Sequence, residues 1–507
     1  MFSIADIGNK LPSVVKPERK LTLREKLGWT LAILVCFYVL GSITVWGINP
    51  SAVSQFEFLE IVFGSKFGSI LTLGIGPIVT ASIILQLLIG SKIIRWNLQD
   101  SADKAKFMGT QKILAILFSF LEAMAYVFAG AVPPASSETF VVVAVILQIA
   151  FGGIITIFMD EVVSKWGIGS GISLFIAAGV AKTIFVRIFS PPIGGATGGV
   201  ISSVIFALSQ GDLSAAVITF LPLIATGVVF ALVVYAQGIK VEIPMSFAMP
   251  FGRLGSRRWP LKFLYTSNIP VILVAALIAN IQVLGRVLYS RGFSFFGTFD
   301  QSGRPESGFA FLLSTPGSTG GAEALPIFIT TILASLFALL FAIFASRIWK
   351  KYTLRSSLLG ALAGVLLSIL IIYFYSLPPL TSVNMLRIIV YISVFVIGSV
   401  IFSIFWVSTA GMDAKTLADQ FKAASIVIPG YRHDPRIIEK VLDRYVPALT
   451  VMGGAFVGFL AAIADLTNAI GTGTGLLLTV MIIYQFYEQI IGQHYDEIPE
   501  RIRKLVS

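Results

Sequence analysis

The 507 residues are 56% apolar and only 12% charged, with a mean hydropathy of +0.89, whereas a soluble domain carries roughly 25% charged residues. A soluble globule is excluded, and a chain that crosses a membrane many times is indicated. The lone Cys36 rules out an intrachain disulfide, the distant His433 and His494 leave too few ligands for a zinc site, and the net charge of +11 must be read by where the charges lie.

The first 27 residues are polar and basic, with no cleavable signal pattern. A helix crossing ~30 Å of hydrocarbon needs about 20 apolar residues. Twelve runs meet this: 28–48, 75–94, 112–132, 139–159, 168–189, 214–237, 266–287, 326–346, 357–376, 386–408, 446–466 and 474–492. They are continuous rather than alternating, so strands are excluded and an all-α polytopic bundle is expected. With the N-terminus in the cytoplasm, all but seven of the 37 basic residues fall on that side. The exceptions are Lys66, Lys182, Arg187, Arg286, Arg291, Arg304 and Arg387. The asymmetry predicts both termini inside.

This divides the chain into a cytoplasmic segment 1–27, an N-terminal half 28–189 of five spans, an external connection 190–213, a C-terminal half 214–492 of seven spans, and a tail 493–507. Two cytoplasmic connections, 238–265 and 409–445, are long and basic. Their charge fits either the positive-inside rule with lipid headgroups or a docking face for something large and anionic. The turn chemistry of IVIPGYRHDP, Ile426 to Pro435, favours an ordered surface.

The chemistry of an enzyme is missing. There is no GxxxxGK[ST], no HExxH and no Ser-His-Asp or Cys-His set. GIGSGIS (Gly167 to Ser173) and GTGTGLLL (Gly471 to Leu478) read as close packing or a turn at the interface rather than phosphate loops. Glu122 stands alone near the middle of its run; Asp160, Glu161 and Glu488 fall near predicted cytoplasmic ends and Asp465 near an outer one, within reach of headgroups. One mid-membrane carboxylate is a poor basis for a proton relay, and a neutral, hydrogen-bonded Glu122 between helices is an equal reading. A secondary solute transporter, the alternative class, would need paired charges at the midplane.

The stretch FGSKFGSILTLGIGPIVTASIILQLLIGSKII resembles the plug and second transmembrane helix of the SecY family, the channel subunit of the Sec translocon, in its archaeal branch. GIGSGISLFIAAGVAKTIF (167–185), YTSNIPVILVAALIANIQ (265–282), IPGYR (428–432), YVPALTVMGGAFVGFLA (445–461) and GTGTGLLLTVMIIYQFYEQ (471–489) agree in order. The resemblance implies two pseudo-symmetric inverted halves around an hourglass pore that opens sideways to lipid. It implies a plug helix at about 55–70, hinged at Gly74, Gly76 and Pro77, and a pore ring of Ile75, Val79, Ile172, Ile176, Ile269, Ile272 and Leu478. Spacing alone would assign those aliphatics to lipid contact or packing.

It further implies a lateral gate at Thr80, Glu122 and Asn280, and ribosome docking through Arg432 and, on a looser match, Arg253, Arg257 and Arg258. The implied partners are a SecE/gamma-type subunit, a Sec-beta-type subunit, the ribosome with its rRNA, a nascent chain bearing a signal sequence, and lipid of the cell membrane. No cofactor or metal is implied. The family core has ten spans, so the hairpin at about 326–376, turning at Arg347 to Arg355, is surplus and has no assigned role.

Overall fold

A backbone shielded from water must bond to itself, so the long apolar runs fold as helices. The computed structural model describes residues 11–49, 65–91, 93–94, 96, 100–128, 130–192, 198–248, 254–266, 268–300, 305–315, 359–360, 362–367, 382–423, 426–427, 435–467 and 469–494. The elements in chain order are α1 (Leu23–Leu40), α2 (Gly76–Gly90), α3 (Ser101–Phe128), α4 (Thr139–Trp166), α5 (Gly171–Phe189), α6 (Val200–Ser209) and α7 (Leu213–Gln237). There follow β1 (Lys240–Ala248), β2 (Leu254–Lys262), α8 (Ile269–Ser290), α9 (Gly308–Leu312), α10 (Ser382–Thr409), α11 (Ala414–Ala423), β3 (Ile426–Val427), α12 (Pro435–Leu466) and α13 (Gly473–His494).

Among the described residues eight helices are long and apolar enough to cross a membrane: α3, α4, α5, α7, α8, α10, α12 and α13. α2 is shorter, at 15 residues, and α1 opens with the charged Arg24, Glu25 and Lys26. α1 also ends at Leu40, so the run 28–48 finishes in turns. The hairpin at 326–376, on which the count of twelve depends, lies outside the described residues apart from 359–360 and 362–367, which are helical. The connection 190–213 is not bare loop; it contains α6.

The exterior is apolar. α4 turns Phe140, Val143, Leu147 and Phe151 outward, and α7 turns Leu213, Val217, Phe220 and Ile224 outward, each at helical spacings of three and four. Such a surface belongs against lipid. Inside, small residues let backbones meet. A Cβ placed on Gly458 of α12 would stand 2.5 Å from the Phe395 carbonyl oxygen of α10, and one on Gly454 would stand 3.1 Å from that of Ser399.

The two long basic connections are not independent loops. β1 and β2 form an antiparallel hairpin, and β3, from the second connection, pairs antiparallel with β1 through Ser246 opposite Val427. Among the described residues the chain is therefore a helical bundle with one small sheet. A second apolar cluster, including Leu261, Tyr265, Leu417, Phe421, Leu442 and Val446, joins β2 to α11 and α12. Tyr265 donates to the Met412 carbonyl at 2.6 Å. Burial, with Asp413 adding to it, pushes the Tyr265 hydroxyl up, so it remains a protonated donor.

The N-terminal segment lies across the ends of α3 and α4. Lys112 of α3 donates to the Pro12 carbonyl at 2.6 Å and pairs with Glu161 of α4 at 2.5 Å. Glu161 accepts from Val14 N–H at 2.9 Å, Lys165 donates to the Val14 carbonyl at 2.6 Å, and the Trp166 indole donates to Val15 at 2.8 Å.

Candidate channel constriction and gate

The approach to α2 is a series of tight turns, with Gly74 N–H donating to Leu71 and Gly76 N–H to Leu73. Gly74 sits at φ +51, a conformation that favours glycine. Gly76 and Pro77 are the first two residues of α2, where proline's missing N–H costs nothing. The three predicted hinge residues therefore stand at one sharp change of direction. Of the predicted plug, 55–64 lie outside the described residues; 65–70 run as turns rather than helix, bridged to Thr44 through Ser69. Phe67, Leu71 and Leu73 are buried in the central apolar cluster.

That cluster gathers the predicted ring. Ile75, Val79, Ile176, Ile272 and Leu478 are buried members, and Ile172 and Ile269 pack against it partly buried. They come from the starts of four helices: Ile75 just before α2 and Val79 within it, Ile172 and Ile176 from α5, Ile269 and Ile272 from α8, and Leu478 from α13. Beside them a cavity of about 440 Å³ is lined by Ser170, Asn268, Ile269, Trp406, Phe486 and Glu488, among others. Glu488 is ion-paired with Lys262, which ties β2 to α13 rather than leaving the carboxylate to headgroups.

Thr80, Glu122 and Asn280 are brought together from three helices. Thr80 Oγ1 on α2 donates to Glu122 Oε1 on α3 at 2.7 Å, and Asn280 Nδ2 on α8 donates to Thr80 Oγ1 at 3.0 Å. Glu122 Oε2 is buried with no hydrogen-bond partner among the described residues. The neighbouring contact of Gln111 Nε2 with Ser82 Oγ, at 2.6 Å, continues the polar seam between α2 and α3.

The residues expected to dock a partner are less visible. Arg253 and Arg432 lie outside the described residues. Arg257 and Arg258 occupy β2 opposite Met245 and Pro244, with their side chains undescribed.

Two aspartates were misjudged from sequence, and the burial of one arginine was not foreseen. Asp465, expected to reach headgroups, is 5% exposed and accepts from Thr474 N–H at 2.7 Å and Tyr391 Oη at 2.8 Å. Asp160 likewise turns inward, accepting from Ile172 N–H at 2.9 Å. Arg387, counted among the seven basic residues on the external side, is 2% exposed; it donates to Ser314 Oγ at 2.8 Å and lies 3.9 Å from the Phe311 ring. The legible signal was the glycine-rich turn after each aspartate. For Arg387, nothing in its neighbourhood foretold burial.

A helical bundle with an apolar exterior, an aliphatic centre and a polar seam between its helices falls in the class of polytopic membrane proteins. The SecY family model matches residues 69–487. The protein translocase subunit SecY of Methanocaldococcus jannaschii is 39% identical over 507 residues, with 100% of both chains covered. That of Pyrococcus furiosus is 39% identical, covering 97% of this chain and 96% of its own. A solved structure described as "The structure of a protein conducting channel" superposes with a TM-score of 0.77 at 38% identity over 98% of each chain. Sec61 in a canine ribosome-channel complex from the endoplasmic reticulum does so at 0.74, with 38% identity over 98% of each chain. The chain belongs to the SecY family. Its function is protein translocation as a membrane-embedded, multi-pass, protein-conducting channel subunit, neither an enzyme nor a solute transporter.

Proposed function

We propose that the seven aliphatic residues Ile75, Val79, Ile172, Ile176, Ile269, Ile272 and Leu478 form the constriction through which an unfolded polypeptide passes. Branched aliphatic side chains offer a passenger no hydrogen bonds and therefore do not grip it, while a closed apolar collar excludes ions by dewetting. Residues about 55–70 are the plug that stoppers this collar, swinging at Gly74, Gly76 and Pro77. Thr80, Glu122 and Asn280 latch a lateral gate between α2 and α8. A hydrophobic signal segment replaces those polar contacts and leaves sideways into lipid.

The observation that carries this reading is the hydrogen-bonded chain from α8 through α2 to α3. It supplies a use for Glu122, otherwise a costly buried acid. Partner contacts follow by analogy with the canine complex, whose description names the ribosome. The ribosome docks on the shared sheet and its loops through Arg253, Arg257, Arg258 and Arg432, and its translation drives transport. SecE/gamma-type and Sec-beta-type subunits clasp the bundle in the plasma membrane. Deleting Ser54 to Ser69 and recording the reconstituted channel in a planar bilayer tests the reading. A resting ion leak absent from wild type is expected; a variant as tight as wild type would refute it.

A further inference from the structure

The two glycine-rich turns noticed in the sequence fold as the same device. Each ends in a glycine that starts a helix: Gly171 opens α5 and Gly473 opens α13. Each is seated against the helix before it. A Cβ on Gly171 would stand 2.6 Å from Asp160 Cα, and one on Gly473 would overlap the Ala464 backbone. Each new helix is capped by an aspartate of the preceding helix. Asp160 Oδ1 on α4 accepts from Ile172 N–H at 2.9 Å, and the Gly171 N–H also faces the carboxylate. Asp465 Oδ1 on α12 accepts from Thr474 N–H at 2.7 Å, and its Oδ2 accepts from Thr474 Oγ1 and Tyr391 Oη. A carboxylate satisfies the free amides of a first turn and faces the positive end of the helix dipole.

The two capped helices are antiparallel neighbours. A Cβ on Gly169, before α5, would overlap the Phe486 ring near the far end of α13, and one on Gly471, before α13, would stand 2.9 Å from Ile184 near the far end of α5. Ile184 lies thirteen residues after Gly171, and Phe486 lies thirteen after Gly473. At 1.5 Å rise per residue the pair overlaps over about 20 Å. Ile176 and Leu478 are each the sixth residue of their helix. Each therefore sits about 7.5 Å in from opposite ends, so the two come to within about 5 Å of a common level, near the middle of the overlap.

We propose that Asp160 and Asp465 are a matched pair of positioning residues. By seating the first turns of α5 and α13 from opposite ends, they hold Ile176 and Leu478 within about one helical turn of each other across the constriction. This rests on the reading of those two residues as ring members. An anchor that slips by one helical turn moves its ring residue by about 5.4 Å and breaches the collar.

The test records the full-length channel in planar bilayers, with Asp160→Ala, Asp465→Ala, Asp160→Asn and Asp465→Asn beside wild type and the Ser54–Ser69 deletion. The alanine variants should raise resting conductance at least tenfold and admit larger organic cations, because the ring is displaced. The asparagine variants keep one carbonyl acceptor for the amides and should stay within twofold of wild type. General destabilisation would lower yield without changing the ion-size cut-off and without rescue by asparagine. Alanine variants as tight as wild type, or asparagine variants as leaky as alanine, overturn the proposal. Should Asp465→Ala fail to accumulate, Thr474→Val removes only the hydroxyl contact; a partial leak supports the anchor and none overturns it. A deletion control that does not conduct refutes the channel reading itself, while a conducting control beside silent alanine variants refutes only the anchors.

Discussion

Replacing Asn280 with leucine should make the channel accept less hydrophobic signals. The substitution removes the 3.0 Å bond from Asn280 Nδ2 to Thr80 Oγ1 and leaves the 2.7 Å bond from Thr80 to Glu122 in place. Interhelical hydrogen bonds in membrane proteins average about 0.6 kcal/mol and reach about 1.7 kcal/mol. Losing one from the closed state shifts the open-to-closed ratio by about threefold to about twentyfold. A signal gains about 0.8 kcal/mol for each methylene it buries, so the threshold should fall by about one to two methylene groups. The assay is transport into proteoliposomes of a reporter series whose signal cores lengthen one methylene-equivalent at a time. Thr80→Ser, which keeps the hydroxyl, should stay at the wild-type threshold. A well-folded Asn280→Leu channel with an unmoved threshold would refute the idea that these contacts hold the gate.

Gly458→Val drives a side chain into the Phe395 carbonyl, 2.5 Å from where its Cβ must sit. Overpacking of this kind costs about 1–3 kcal/mol, read as a lower unfolding midpoint in detergent; an unchanged midpoint would place α10 and α12 further apart. Arg432→Ala should weaken ribosome binding and flatten its salt dependence by about one unit of log–log slope, as expected for one lost phosphate contact. A uniform affinity across salt concentrations for both proteins would instead leave Arg432 a headgroup contact.

The helices were legible because lipid demands long apolar runs, and the meeting of Thr80, Glu122 and Asn280 was anticipated because the family's motifs stand intact in the sequence. Other features hid for physical reasons. The strand β1 does alternate, with Val241, Ile243, Met245 and Phe247 separated by Glu242, Pro244 and Ser246. Its period of two was masked by the basic charge of the loop around it. Its pairing with β3 joins segments some 180 residues apart, a register that no local pattern encodes. Asp160 and Asp465 were misread because nearness to a helix end was equated with nearness to water. In both cases the next helix folds back so tightly that its first amides reach the carboxylate before any headgroup does.

The segment at residues 12–15 carries a consequence for how the molecule is made. Its contacts fall on Lys112, Glu161, Lys165 and Trp166, which lie 100 to 151 positions later in the chain. Lys112 is available once α3 has been made, but Glu161, Lys165 and Trp166 arrive only with α4, so most of these contacts close late. The full set of ties needs two later helices laid side by side, so the completed tether records that α3 and α4 have already met.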